Sequence, residues 1–245
     1  MKLKKLLKFT NISIFKTLYV NFKKLPFSQA IKLPIIIYHR TEIASLQGII
    51  KILGKVKTGM IQFNNNSENH LGRYHWRRIE IRGEAIFTGK VDFGVGSVLY
   101  VRECAKIILG DNVKVMGKAR VLCEENIVIG NNVRLTHECQ LTDSNFHYIR
   151  NIMDGSVEKC TKPIRIGNNN WIGNRTTIAK GTVTPDFTIV GSNSLLNKDY
   201  SSLGNYSLLA GIPAKKIADG FERIFDEIIE HEYNVKFGRY DYFRK

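Results

Sequence analysis

From residue 166 onward an inward-type residue recurs at every sixth position: Ile166, Ile172, Ile178, Thr184, Val190 and Leu196. Four places after each of the first five stands a compact polar residue, namely Asn170, Thr176, Thr182, Thr188 and Ser194. An earlier stretch keeps the same period in another phase, through Val91, Leu109, Val115, Val121 and Ile127, with Val95, Val113 and Ala119 at the accompanying small positions. Hexads starting at Ile129, Leu135 and Leu141 join the two. A period of six matches neither the 3.6 of an amphipathic helix nor the alternation of a half-buried strand. It matches a coil with three short flat sides, in which each aliphatic points inward and stacks on its equivalent three hexads away. Gly110, Gly130, Gly167, Gly173 and Gly191 directly follow the aliphatic, where a corner calls for permissive backbone dihedrals. The pattern therefore predicts an all-β solenoid, a parallel β-helix with a stacked aliphatic interior.

The ends of the chain read differently. Residues 1–45 mix helical and extended character, and Pro26 and Pro34 rule out one continuous helix. Near the other end Phe221, Ile224, Phe225, Ile228 and Ile229 share one helical face, which predicts an α-helix that folds back and caps an open edge of the solenoid. The expected division is a basic N-terminal extension over 1–60, the β-helix over 61–217 and a C-terminal helix and tail over 218–245. Within the β-helix the hexads break between Phe146 and Pro163, giving a loop excursion over 148–163.

Charge sharpens the reading of the N-terminal part. The 245 residues carry a net +15, yet residues 1–60 hold twelve basic residues against the single acid Glu42, or +11, leaving +4 for the rest. A basic arm on a nearly balanced body points to an anionic partner: a membrane surface, a polyanionic glycan or nucleic acid. Lys8, Lys16, Lys23 and Lys24 interrupt the apolar residues at the start, and no small-residue cleavage site follows, so a signal peptide is not expected. Apolar runs such as Pro34–Tyr38 are too short to span a bilayer, and the chain reads as soluble and intracellular. Cys104, Cys123, Cys139 and Cys160 include no CxxC pair and read as reduced, packed thiols.

The excursion is where chemistry is expected, because regular coils have no spare side chains to aim. It is preceded by LTDSNFH, which sets His147 just beyond a regular coil with Asp143 four residues before it. An imidazole with its ordinary pKa of about 6.5 can take the proton of an attacking hydroxyl, and a carboxylate beside it can fix its tautomer. His137, within LTHECQ, is a second candidate base.

The segments IGNNNWIGNRTTIAKGTVTPDFTIVGSNSLLNKD and LLAGIPAKKI, within the densest match over 109–217, resemble the hexapeptide-repeat acyltransferases. Within that family the chain looks most like the sugar O-acetyltransferases of bacterial surface polysaccharide synthesis, such as capsule, exopolysaccharide or O-antigen. The resemblance implies a left-handed helix, acetyl-CoA as acyl donor with no metal, and a homotrimer whose sites lie between subunits. It assigns the general base to His147, with Asp143 as a weaker transfer. It also implies Trp171 as a wall of the site, and Asn174, Ser192, Asn197, Lys198 and Lys215 as cofactor contacts. The implied acceptor is a carbohydrate, lipid-linked or polymeric, with no nucleic acid. The expected location is the cytoplasm; residues 1–45 read as an amphipathic cap lying over the first coil, with peripheral contact at the inner face of the membrane as the alternative.

Two rival readings follow from the same residues. One is N-acetylation of an amino sugar or small acceptor; the other is a non-catalytic β-helix that binds through its basic arm. A zinc site of the kind some left-handed β-helices carry needs three histidines, and His70 and His75 have one suitable spacing but no convincing third ligand. The surrounding HLGRYHWRR reads instead as a cationic and aromatic rim.

Overall fold

The computed structural model describes residues 11–65 and 77–239. Its strands wind into a parallel β-helix of three faces. The first face carries β1 (Ile35–Ile37), β4 (Ile61–Asn65), β7 (Val91–Gly94), β10 (Val113–Val115), β13 (Arg134–Leu135), β16 (Trp171–Ile172), β19 (Ile189–Val190) and β21 (Ser207–Gly211), closed by the antiparallel β22 (Ala214–Asp219). The second carries β2 (Glu42–Ser45), β5 (Arg78–Ile81), β8 (Val98–Val101), β11 (Arg120–Cys123), β14 (Gln140–Thr142), β17 (Thr177–Ile178) and β20 (Leu195–Leu196). The third carries β3 (Ile49–Ile52), β6 (Glu84–Phe87), β9 (Lys106–Leu109), β12 (Asn126–Ile129), β15 (Ile164–Ile166) and β18 (Val183–Thr184).

The in-phase residues form the core. Ile172 lies in register with Val190 and Ile178 with Leu196, and all four are buried. Burying such a side chain contributes about 1.5–3 kcal/mol, so the stack is the main source of cohesion between coils. Thr184 keeps its place in register with Ile166 because its Oγ1 accepts the Gly167 N–H at 3.1 Å. The compact polar residues are buried too, and they satisfy corner carbonyls: Thr182 Oγ1 donates to Ala179 O at 2.7 Å, and Ser194 Oγ to Gly191 O at 2.7 Å. Toward the N-terminal end aromatics fill the prism, Phe63 stacking on Phe93 at 4.7 Å.

The corner glycines serve a purpose other than the one expected. Gly110, Gly130, Gly167, Gly173 and Gly191 do not have positive φ; the left-handed residues at corners are instead Asn112, Asn132, Asn169, Arg175 and Asn193, among others. What the glycines provide is close approach. A Cβ on Gly173 would lie 2.6 Å from the Ser192 nitrogen, and one on Gly110 would lie 2.5 Å from the Gly130 carbonyl. Asparagines then tie one corner together through side chains, Asn112 Nδ2 donating to Asn132 Oδ1 and Asn132 Nδ2 to Asn169 Oδ1.

Both ends depart from the expected boundaries. The first coil is β1 to β3, already inside the segment expected to be a basic cap, because alternate residues of Ile35–Ile37 and Ile49–Ile52 face the core. The cap itself is α1 (Ile14–Lys24) followed by the short α2 (Phe27–Ala30), with Pro26 between them. At the C-terminal end, residues 221–226 are not helical, and α3 begins only at Glu227, where the Asp226 carboxylate accepts the Ile228 and Ile229 N–H groups. α3 (Glu227–Lys236) buries no residue. The β21–β22 hairpin, not the helix, covers the open edge of the first face.

Candidate active site

The excursion leaves the coil at the corner between the second and third faces. Asp143 begins it and is wholly buried. Its carboxylate accepts the backbone N–H groups of Glu124 at 2.7 Å, Glu125 at 2.9 Å and Asn126 at 2.7 Å, which form the same corner one coil earlier. Burial pushes this carboxyl upward in pKa, while the three N–H donors pull it down. Beside it, burial pushes the Cys123 thiol far up, with the Asp143 charge adding to the effect. A thiol so held is a packed group, not a nucleophile.

His147 is exposed, four residues further along the excursion. Among the described residues no hydrogen bond joins it to Asp143, so the orienting pair expected from the sequence is not formed in this chain. His137 sits partly buried at the corner between the first and second faces, where its carbonyl accepts the Arg175 N–H at 2.9 Å. Next to it, Glu138 bridges Lys118 Nζ at 2.9 Å and Arg175 Nε at 2.8 Å, and these partners lower its pKa to about 2.

The remaining expected residues fall into separate groups. Asn174 and Ser192 meet at the corner between the first and second faces, where Ser192 Oγ donates to Asn174 Oδ1. Asn197 and Lys198 are exposed at the other edge of the second face, on the corner from which the excursion leaves. Lys198 Nζ lies 5.4 Å from the Tyr200 ring centroid. Trp171 is on the first face and Lys215 is exposed on β22. His70, His75 and the rim around them lie outside the described residues, and among the described residues no three potential metal ligands gather.

One cluster was not anticipated. Lys114, Arg134 and Trp171 occupy the same outward position on successive coils of the first face. Residues 221–226 cross them, so that Phe225 faces the guanidiniums of Arg134 at 5.3 Å and Arg223 at 4.9 Å, while Arg223 also lies 5.8 Å from the Trp171 ring. Burial, together with the neighbouring Arg223 charge, lowers the Arg134 guanidinium to about 10. Coil register, had it been extended to outward positions, is the signal that would have found this ladder.

Comparison with known proteins finds similarity to named O-acetyltransferases. The galactoside O-acetyltransferase of Escherichia coli (strain K12) is 24% identical over 163 residues, covering 66% of this chain and 76% of that protein. WbbJ of the same strain, provisionally named a lipopolysaccharide biosynthesis O-acetyl transferase, is 26% identical over 132 residues, 51% of this chain and 66% of its own length. Both relatives are named as O-acetyltransferases, and the chain is similar to them. Among solved structures, the polySia-specific acetyltransferase NeuO matches over 83% of this chain and 93% of its own, with 20% identity and a TM-score of 0.46. No family model matches the sequence. No described helix of the chain is long and apolar enough to cross a membrane.

Proposed function

We propose that this protein transfers the acetyl group of acetyl-CoA to a sugar hydroxyl of a bacterial surface polysaccharide or of its lipid-linked precursor. The observation that carries the reading is the exposed imidazole of His147 in the excursion that interrupts the coil. His147 takes the proton of the acceptor hydroxyl as its oxygen bonds to the thioester carbonyl carbon. The carbon–sulfur bond then breaks, and the thiolate recovers the proton from the imidazolium. Backbone N–H groups suit the developing oxyanion. The related galactoside O-acetyltransferase supports a carbohydrate acceptor.

Trp171 is proposed as a wall of the site. Asn174, Ser192 and Asn197 suit the amide groups of the donor's arm, and Lys198 and Lys215 its phosphates. The proposed assembly, which the resemblance to the hexapeptide-repeat acyltransferases implies, is a homotrimer in which neighbouring chains complete each site. The proposed location is the cytoplasm, at the inner face of the membrane. Release of free thiol from acetyl-CoA, measured over a panel of oligosaccharides and amino sugars, tests the reading. His147→Ala is expected to lose at least about a hundredfold in acceptor-dependent turnover. Equal turnover by the variant would move the base to His137. Failure of the parent to bind acetyl-CoA would favour a binding module, and turnover confined to amino sugars would favour N-acetylation.

A further inference from the structure

Helix α1 is packed with its polarity reversed. The side chains it buries are Thr17, Val20 and Asn21, two of them polar. Asn21 acts as a substitute strand for the outermost edge of the first face: its Nδ2 donates to Ile35 O at 2.7 Å and its Oδ1 accepts the Ile35 N–H at 3.1 Å. Thr17 Oγ1 accepts the Ile37 N–H at 3.0 Å. The edge is thus satisfied by side chains, and the apolar residues are turned outward. Ile14 is 69% exposed, Phe15 80%, Leu18 42%, Tyr19 48% and Phe22 49%; just beyond the helix, Phe27 is 73% exposed.

A lysine-lined groove runs beside this apolar surface. It has a volume of about 720 Å³ and is bounded by Lys16, Tyr19, Lys23 and Lys24 on the helix and by Ile43–Gln47 on the first coil. Lys16 and Lys24 are anchored on the Thr41 and Gly48 carbonyls, which holds their ammonium groups at the groove wall. Burial and the adjacent Lys23 charge lower the pKa of Lys24. Among the described residues no acidic side chain lines the groove.

We infer that the outer face of α1, with the lysine groove beside it, is a docking surface for an anionic lipid bilayer. Aromatic and aliphatic side chains on one side of a short helix, flanked by ammonium groups, match the boundary between acyl chains and phosphate headgroups. Charge selects this occupant over a second copy of the chain. Two-fold pairing through α1 would bring together the two lysine grooves. The inference stands apart from the acetyl-transfer reading, since binding to lipid is measured without acetyl-CoA or acceptor.

The test is flotation of the full chain with liposomes of phosphatidylcholine alone and with phosphatidylglycerol added. Two variants accompany it: Phe15→Ser/Leu18→Ser/Phe22→Ser on the exposed apolar face, and Lys23→Gln, whose ammonium is not anchored on a backbone carbonyl. The expected result is binding to the anionic liposomes only, reduced at least about tenfold by the triple variant and several-fold by Lys23→Gln, with thermal unfolding unchanged. Equal flotation of parent and triple variant would overturn the inference. So would equal binding to neutral liposomes. Loss of a concentration-dependent oligomer in the triple variant, without liposome binding by the parent, would overturn it in favour of self-association.

Discussion

Replacing Asp143 separates a structural carboxylate from a catalytic one. Its two oxygens accept three backbone N–H groups at 2.7–2.9 Å, and the residue has no exposed surface. Asp143→Ala removes the acceptor for all three donors at once and opens a void against the buried Cys123. A buried donor left without a partner costs about 1–3 kcal/mol, and hydrogen bonds to a charged group lie in the upper part of that range. Relaxation of the corner returns part of the loss, so an overall destabilisation of about 3–5 kcal/mol is expected. For a chain of this size that corresponds to a fall of roughly 6–20 °C in thermal midpoint. Asp143→Asn keeps one acceptor oxygen but turns an NH2 group toward the remaining donors, and about 2–4 kcal/mol is expected. The assay is thermal unfolding of parent and variants, with turnover measured well below the lowest midpoint. A midpoint within about 2 °C of the parent, together with a large loss of turnover, would refute the corner role and restore Asp143 as the partner of His147.

Two further outcomes follow from the corners. Gly173→Ala puts a Cβ 2.6 Å from the Ser192 nitrogen and 2.7 Å from the Val190 carbonyl, both backbone atoms held in a hydrogen-bonded coil. A loss of about 1–3 kcal/mol in thermal or denaturant unfolding is expected, and an unchanged midpoint would show that the coils are free to part. Glu138, held at a pKa of about 2 by Lys118 and Arg175 against an ordinary 4.5, stabilises the fold above the unfolded-state value. That contribution is lost as pH falls from about 4.5 toward 2, so the midpoints of parent and Glu138→Gln should converge over that interval and differ above it.

The hexads from Ile166 to Leu196 were legible because coils there are multiples of six. Ile172 pairs with Val190 and Ile178 with Leu196, each eighteen residues on. Earlier coils are longer: Val115 pairs with Leu135 and Ile107 with Ile127, each twenty residues on. The extra residues sit in corners, shift the phase and hide the first coil, which begins at Ile35 amid lysines. The tail was misread for a related reason. Phe221, Ile224 and Phe225 have helical spacing, but Phe225 is held between two guanidiniums and Asp226 starts the helix later. Asp143 illustrates the limit for the site. Its distance from His147 along the chain suggested a pair, while the N–H groups that engage it come from residues 124–126, a coil away, and no local pattern reveals them.

The division of the proposed site between two corners can itself be tested. Ser192 and Asn197 flank the second face five residues apart, a span of up to about 17 Å in extended chain, and the excursion bearing His147 leaves from the Asn197 side. If each site joins His147 of one chain to the Asn174–Ser192 corner of the next around a threefold axis, two differently damaged chains can repair one another. His147→Ala and Asn174→Ala/Ser192→Ala would each be inactive as pure proteins. In trimers assembled at random from equal amounts, a site is intact when the chain giving His147 carries the corner substitutions and its neighbour carries His147→Ala. That happens in about a quarter of the sites, so co-refolded or co-expressed protein should regain about a quarter of parental turnover. A site contained within one chain never receives both intact parts, and the mixture would then stay inactive. Zero recovery from a mixture shown to contain hybrid trimers would therefore place the base and the donor contacts on the same subunit.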